Sequence, residues 1–326
     1  MLTLRDIVIQ RSVGGTPIMD QIEKKSGIAM TMGVIPANQV TFHNWKMSGA
    51  VATPTVRAVG GSVTPSSIND VLERTDLHEF TLFQQEDWKT VKTLGGGKDQ
   101  AAAQRFFMSL YPQMLESMLQ RIAKQIIYGT NTTFGDEDGL GFKGLHDMVR
   151  DNATLQRKQM GGATGSNTSI FIVRWNPRFC SAVFSPAVIS NLAEIMASTV
   201  PVFNPNTTNV TTNAKIPSWE SWHTTDMGLM LASAVAVYGI TQVDASNIPT
   251  SADLMTGLRG VHSDRDLANT KIYCSARGRD YIYGLNDANL ISTAMDTTYN
   301  NRITTFNGVE IVTDENISDV ETDVLD

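Results

Sequence analysis

Between Asp99 and Tyr128 the apolar residues Phe107, Leu110 and Tyr111, Met114 and Leu115, Met118, Ile122 and Ile126 recur at intervals of three and four. That spacing predicts a helix with one apolar face, roughly 30 residues and about 45 Å long. Pro112 lies inside the pattern and predicts a kink or a restart, because proline has no amide to donate and its ring crowds the preceding turn. Gly129 stands where a helix-ending glycine belongs. A helix of this length exceeds what an average globular core uses and reads as a spine.

Ahead of it the period changes. "QVTFHNWKM" (39–47) and "LHEFTLFQQ" (77–85) alternate as half-buried strands do, and "ATPTVRAVGGSVTPSS" (52–67) lies between them. Two strands joined by a long Gly/Pro/Ser excursion predict a protruding hairpin, which is marginal in water unless something outside holds it. Residues 1–36 mix a short amphipathic start, a helix around Met19 to Lys25, and a stretch dominated by Met, Gly and Pro, "IAMTMGVIPANQ". They read as an arm that needs a partner surface.

Beyond the spine, "SIFIVRWNPRFCSAVFSP" (169–186) predicts one or two buried strands and "VISNLAEIMAST" (188–199) a short helix. Residues 201–218 read as a polar loop. "GLMLASAVAVYGITQVD" (228–244) is one or two strands or a buried helix, which periodicity cannot separate. "CSARGRDYIYGLNDANL" (274–290) is helical, and "TTFNGVEIVTDENI" (304–317) is strand, turn and strand. Strands and helices mix without a βαβ rhythm, which predicts an α+β fold.

Composition narrows the class. The 326 residues are 41% hydrophobic and 18% charged, which suits a globular chain. The longest apolar run, Gly228 to Val237, is about half of a membrane span, and Arg5, Asp6 and Arg11 interrupt the N-terminus, so it does not read as a secretory signal. The net charge of −7 is carried entirely by the end of the chain. Glu310, Asp314, Glu315, Asp319, Glu321, Asp323 and Asp326 face no base there, as a solvated end or a contact surface for a basic partner. The balanced remainder has no basic stripe for sequence-specific nucleic-acid recognition.

The residues that chemistry needs are missing. The loop after the spine, "GTNTTFGDEDGLGFKGL" (129–145), is dense in glycine and acid. Aligned as a calcium loop on Gly139, it has Phe134 first and Leu145 last, so the ligands fail. As a phosphate loop it has Gly144 after Lys143 and follows a helix where it should open one. It reads as a flexible, solvated crossing. His43, His78, His146, His223 and His262 are scattered, and Cys180 and Cys274 read as two reduced, small apolar residues. Asp264 and Asp266 flank Arg265 in a solvated loop, and Trp175, Trp219 and Trp222 read as aromatic anchors of a core or an interface. The expectation is no enzyme, with no catalytic, cofactor-binding or metal residue and no cofactor.

Read in order, "AKQIIYGTNT…GFKGL" (123–145), "SIFIVRWNPRFCSAVFSP" (169–186), "ESWHTTDMGLMLASAVAVYGITQVD" (220–244) and "FNGVEIVTDENI" (306–317) resemble the major capsid proteins of tailed bacteriophages. Within that family, which has the Hong Kong 97-type capsid fold, they are closer to a branch of small, unprocessed coat proteins. The resemblance implies an N-terminal arm (1–38), an E-loop hairpin with flanking strands (39–90) and a P-domain (91–168) whose spine helix covers about 99–128. It further implies a mainly A-domain region (169–300), and a C-terminal strand and acidic tail returning to the P-domain (301–326). The function it implies is self-assembly as hexamers and pentamers into an icosahedral shell around phage double-stranded DNA, contacted non-specifically. Implied partners are a separate scaffolding protein, a portal and a decoration protein, with no membrane; the place is the virion capsid, after synthesis in the host bacterial cytoplasm. The alternative is a phage tail-associated or other structural binding protein forming rings or tubes.

Overall fold

In a computed structural model, the three-four pattern forms one uninterrupted helix, Gln100–Tyr128, which runs through Pro112 without a restart. The structure describes residues 26–48, 59, 70–94, 96, 99–129, 141–151, 156–185, 204–206, 217–285, 291–296 and 301–321. Asp99 caps the helix by accepting from the Ala102 amide at 3.0 Å. At the other end Gly129 adopts φ 60°, and a β-carbon there would lie 1.9 Å from the Gly144 nitrogen. Only glycine combines that backbone angle with that approach. The two ends of the glycine- and acid-rich loop are therefore pinned together, and Gln125 Nε2 donates to the Phe142 carbonyl at 2.9 Å. Residues 130–140, on which the flexible-crossing expectation falls, lie outside the described residues.

A seven-stranded sheet of order β12-β13-β14-β11-β6-β10-β5 shares its core with the spine. Its strands are β5 (Arg157–Gln159), β6 (Thr168–Arg174), β10 (Val237–Val243), β11 (Thr270–Cys274), β12 (Ile291–Asp296), β13 (Asn301–Phe306) and β14 (Val309–Thr313). The unbroken run in β6 follows from burial on both faces. Phe171 and Val173 join the spine-side core with Ile122, Ile126 and Trp175. Ile170 and Ile172 face the opposite core, with Leu254 and Leu258 of helix Ser251–Gly260 and Ile282 of helix Ala276–Gly284. β13 and β14 form the predicted strand-turn-strand, joined at Asn307 (φ 50°) and Gly308 (φ 79°), the backbone that an Asn-Gly hairpin turn requires.

A second sheet has the order β1-β7-β9-β4, with β8 also on β9. Its strands are β1 (Val34–Pro36), β4 (His78–Asp87), β7 (Cys180–Phe184), β8 (Asn204–Asn206) and β9 (Ser218–Leu231). "GLMLASAVAVYGITQVD" thus resolves into the end of β9, a 3-10 turn at Ala234–Ala236 and β10. β8 puts a short strand where a polar loop was expected. The helices expected at 188–199 and at Met19 to Lys25 lie outside the described residues.

Two expectations change. "LHEFTLFQQ" is not the return strand of the hairpin; it is β4, paired with β9 along its whole length from His78↔Met227 to Asp87↔Ser218. The hairpin is β2 (Phe42–Ser48) with β3 (Asp70–Asp76), a charged strand whose Leu72 is exposed, so it shows no apolar alternation to read. The other change concerns the arm. Ile28, Ala29, Met30 and Met32 are buried in the spine-side core of the same chain, with a short helix at Gly27–Thr31 and β1 lying parallel to β7. Within the described residues, the stretch from Ser26 to Ala37 needs no partner to cover it.

The acidic end is also partly internal. Asp314 is fully buried and accepts from the Ile28 amide at 2.7 Å and from the Asn316 amide and side chain, each at 2.8 Å. Glu321, 2% exposed, accepts from Tyr128 Oη at 2.9 Å and Ser169 Oγ at 2.6 Å, while Tyr128 Oη itself accepts from the Ser318 amide. These carboxylates tie the chain's end to the N-terminal stretch and to the last turn of the spine. Burial raises the Asp314 carboxyl above its usual range. Asp314→Asn turns an amide nitrogen toward donors it cannot bond, and unfolding in urea is expected to show a loss of about 2–3 kcal/mol.

Candidate assembly surface

The residues singled out for chemistry do not converge. Burial pushes both cysteine thiols up to about 12, which removes them as nucleophiles. His43 lies in the hairpin, His78 begins β4, and His146 and His223 are buried, the last against Ser221 Oγ at 2.9 Å. Burial lowers the His43 and His223 imidazoles. His262 heads a 3-10 turn; Asp266 accepts from Asn176 and Asn269, and no contact joins it to Asp264 among the described residues. Among those residues no group of three His, Cys, Asp or Glu is placed to hold a metal.

The three tryptophans part company. Trp175 is a core residue whose indole N–H donates to Tyr273 Oη at 2.7 Å. Trp219 packs with Val91, Ala103, Phe106 and Phe107 at the start of the spine. Trp222 points the other way, 41% exposed, with its ring centroid 4.4 Å from that of Phe83.

Strand alternation explains the split. On the long β4–β9 pair, His78, Phe80 and Leu82 of β4 face the spine with Thr225 and Met227 of β9 opposite or beside them. The whole β4 segment 78–82, Glu79 and Thr81 included, lines a groove of about 610 Å³ with Met118, Arg121, Gln125 and Gly141. The other face carries Glu79↔Asp226, Thr81↔Thr224 and Phe83↔Trp222 as three successive cross-strand pairs. All six side chains are exposed or half-exposed. Asp226 is raised above the ordinary carboxylate range by burial and then by the charge of Glu79. Sequence reading missed this face because each pair joins residues about 140 positions apart; the alternation within each strand was its only trace.

The hairpin leaves the body beside that face from a fixed root. Trp45 and Leu77 pack against a satellite core of Ala37, Val183 and Met230. Asn38 brackets β2 like a strand, donating to the Asn44 carbonyl at 2.7 Å and accepting its amide at 2.8 Å. The Leu77 amide donates to the Thr41 carbonyl at 2.9 Å, and Trp45 Nε1 donates to Thr75 Oγ1 at 3.0 Å. Among the described residues outward from this root, the hairpin has only its own pairing, and Leu72 and Val59 are exposed.

An extended hairpin on a long helix and a two-sheet body can be compared with known proteins. No curated protein matches the chain. Among solved structures it is similar to a chain of bacteriophage Epsilon15, with a TM-score of 0.58 and 15% identity over 90% of this chain and 88% of that one. It is also similar to a chain of the bacteriophage JBD30 capsid, with a TM-score of 0.50 and 7% identity over 95% and 98% of the two chains. The model of the family described as major capsid protein GP7 matches residues 13–325. The chain therefore belongs to the major capsid protein GP7 family, a phage capsid component with the Hong Kong 97-type fold.

Proposed function

We propose that this subunit assembles with copies of itself, as hexamers and pentamers, into a closed icosahedral shell that encloses double-stranded DNA without reading its sequence. The observation that carries the proposal is the β2–β3 hairpin: held rigidly at its root, it has no cover further out among the described residues of its own subunit. A two-stranded ribbon is marginal in water, so its stable place is over a neighbour. The arm, E-loop, P-domain, A-domain and C-terminal segments at 1–38, 39–90, 91–168, 169–300 and 301–326 are proposed on the family's plan. In that plan the buried Ser26–Ala37 stretch anchors the arm. A separate scaffolding protein, a portal and a decoration protein are the proposed partners, with synthesis in the bacterial cytoplasm. No catalytic, cofactor or metal role is proposed.

The test is negative-stain electron microscopy of the purified protein, expressed with and without its neighbouring reading frames. Closed shells are expected when a scaffolding partner is present. A monodisperse small particle under every condition would overturn the proposal.

A further inference from the structure

The groove beside β4 follows the free edge of a sheet. β4 pairs with β9 on one side, and among the described residues no strand pairs with its other side. Side chains alternate across a strand, so a groove that met one face alone would touch every second residue. This one is lined by consecutive residues, His78 to Leu82, as a strand met edge-on lines it. Opposite them stand Ser117, Met118, Arg121 and Gln125 of the spine. An open edge carries a row of unpaired amides and carbonyls, a template for one more strand. Gln125 is 1% exposed; its Nε2 donates to the Phe142 carbonyl, whereas its Oε1 accepts from no group among the described residues. A buried acceptor without a donor costs stability. The groove therefore fits an extended segment with a donor for Gln125, an apolar middle and a carboxylate for Arg121.

Residues 322–326, Thr-Asp-Val-Leu-Asp, have that chemistry in that order. They also start in the right place. The Glu321 carboxylate accepts from Tyr128 Oη, and Tyr128, Gln125, Arg121 and Ser117 succeed one another at spacings of three and four, which is one stripe of the spine. At about 1.5 Å per residue, Arg121 lies roughly 10 Å and Ser117 roughly 16 Å from Tyr128 along the axis. An extended run from 322 to 326 spans about 16 Å. β4 runs the same way along the spine. His78 stacks on Phe142 beside Gln125, and Asp87, at the other end, pairs next to Trp219 at the start of the helix.

We propose that residues 322–326 add a short parallel strand to the free edge of β4 in their own subunit. Alternation turns Thr322, Val324 and Asp326 to the spine: the Thr322 hydroxyl donates to Gln125 Oε1, Val324 packs on Phe80 and Met118, and Asp326 meets Arg121. A guanidinium serves more than one acceptor, so Arg121 takes this carboxylate in addition to the contacts it already makes. The inference concerns a single subunit and does not depend on shell formation. It gives the acidic end a second task, closing an edge that would otherwise pair with another chain.

Two measurements on the unassembled subunit test it. Thr81→Cys with Leu325→Cys sets two thiols on the outward side of adjoining strands, whose spacing of about 5 Å suits a disulfide. Oxidation is expected to give an intrachain bond, read by peptide mapping. Cys180 and Cys274, both fully buried, contribute no background. In that chain Arg121→Glu is expected to slow the crosslink about tenfold. Adding Asp326→Arg restores it, because the two charges have exchanged places. Separately, Val324→Asp in the otherwise native chain sets a carboxylate against Phe80 and Met118 and leaves the Glu321 contacts untouched. Amide exchange over His78 to Leu82 is then expected to quicken about tenfold or more. A bond formed only between chains, no bond at all, Arg121→Glu that crosslinks at the unaltered rate, a double variant that stays slow, or exchange unchanged by Val324→Asp would each overturn the docking.

Discussion

Deleting residues 52–66 yields a subunit that folds and melts like the full chain but forms no closed shell. The deletion removes the outer part of the hairpin and spares everything that fixes its root. Trp45 and Leu77 stay in the satellite core, and the Asn38 bracket and the seven-residue register between β2 and β3 remain. A shorter connection costs slightly less entropy to close, so the remaining ribbon is not penalised. What disappears is the part that can reach another subunit. Interfaces of obligate assemblies are sums of modest contacts over large areas, and losing one such arm from every subunit multiplies through the shell. Thermal melting and electron microscopy of the same preparation check the two halves of the result. Normal particles from the deleted chain would remove the hairpin from the assembly mechanism.

The second large effect is on the fold itself. Met114 and Met118 are 4% and 8% exposed on the buried face of the spine, Met118 in one cluster with Leu119, Ile122 and Ile126. Replacing either with Asp places a carboxylate among apolar groups, with packing lost as well. The expected cost is about 4 kcal/mol or more, a large share of the roughly 5–15 kcal/mol that holds a domain together. Met118 borders the groove under β4, so water reaches it sooner and Met114→Asp is the more damaging of the two. Met118→Leu keeps volume and polarity and is expected to stay within about 1.5 kcal/mol of the native chain. Denaturant unfolding of the three variants gives the ranking. Asp variants that melt with the wild type would mean the apolar face is wrongly assigned.

The spine was legible because a helix writes its burial at short range. Phe107, Met114, Met118, Ile122 and Ile126 all lie on the buried side, and Asp99 and Gly129 mark the ends. β6 was legible as a continuous apolar run and the β13–β14 turn as Asn-Gly. The hairpin's return strand was not, since Asp70–Asp76 is charged and exposed and needs only backbone pairing. The strand that resembles it in sequence, Leu77 to Gln85, alternates because it packs on the spine, not because it pairs with β2. The buried Ser26–Ala37 stretch reads as part of an arm because nothing in "IAMTMGVIPANQ" announces that β7 and the spine lie alongside it.

By itself the sequence determined the α+β class, the spine and its caps, the strands that local patterning specifies, and, through four ordered segments, the capsid family. Those features depend on neighbours three or four positions apart, or on short motifs. Only the tertiary structure decided which strand closes the hairpin and which face of β4–β9 stays open. It also placed Asp314 and Glu321, read as part of a charged tail, inside the core beside Ile28, Tyr128 and Ser169. Each of these rests on a contact between residues more than a hundred positions apart or on a strand whose partner has no signature of its own. Burial, which turns an acid from a solvent-facing charge into a structural acceptor, is a property of the folded neighbourhood and not of the local sequence.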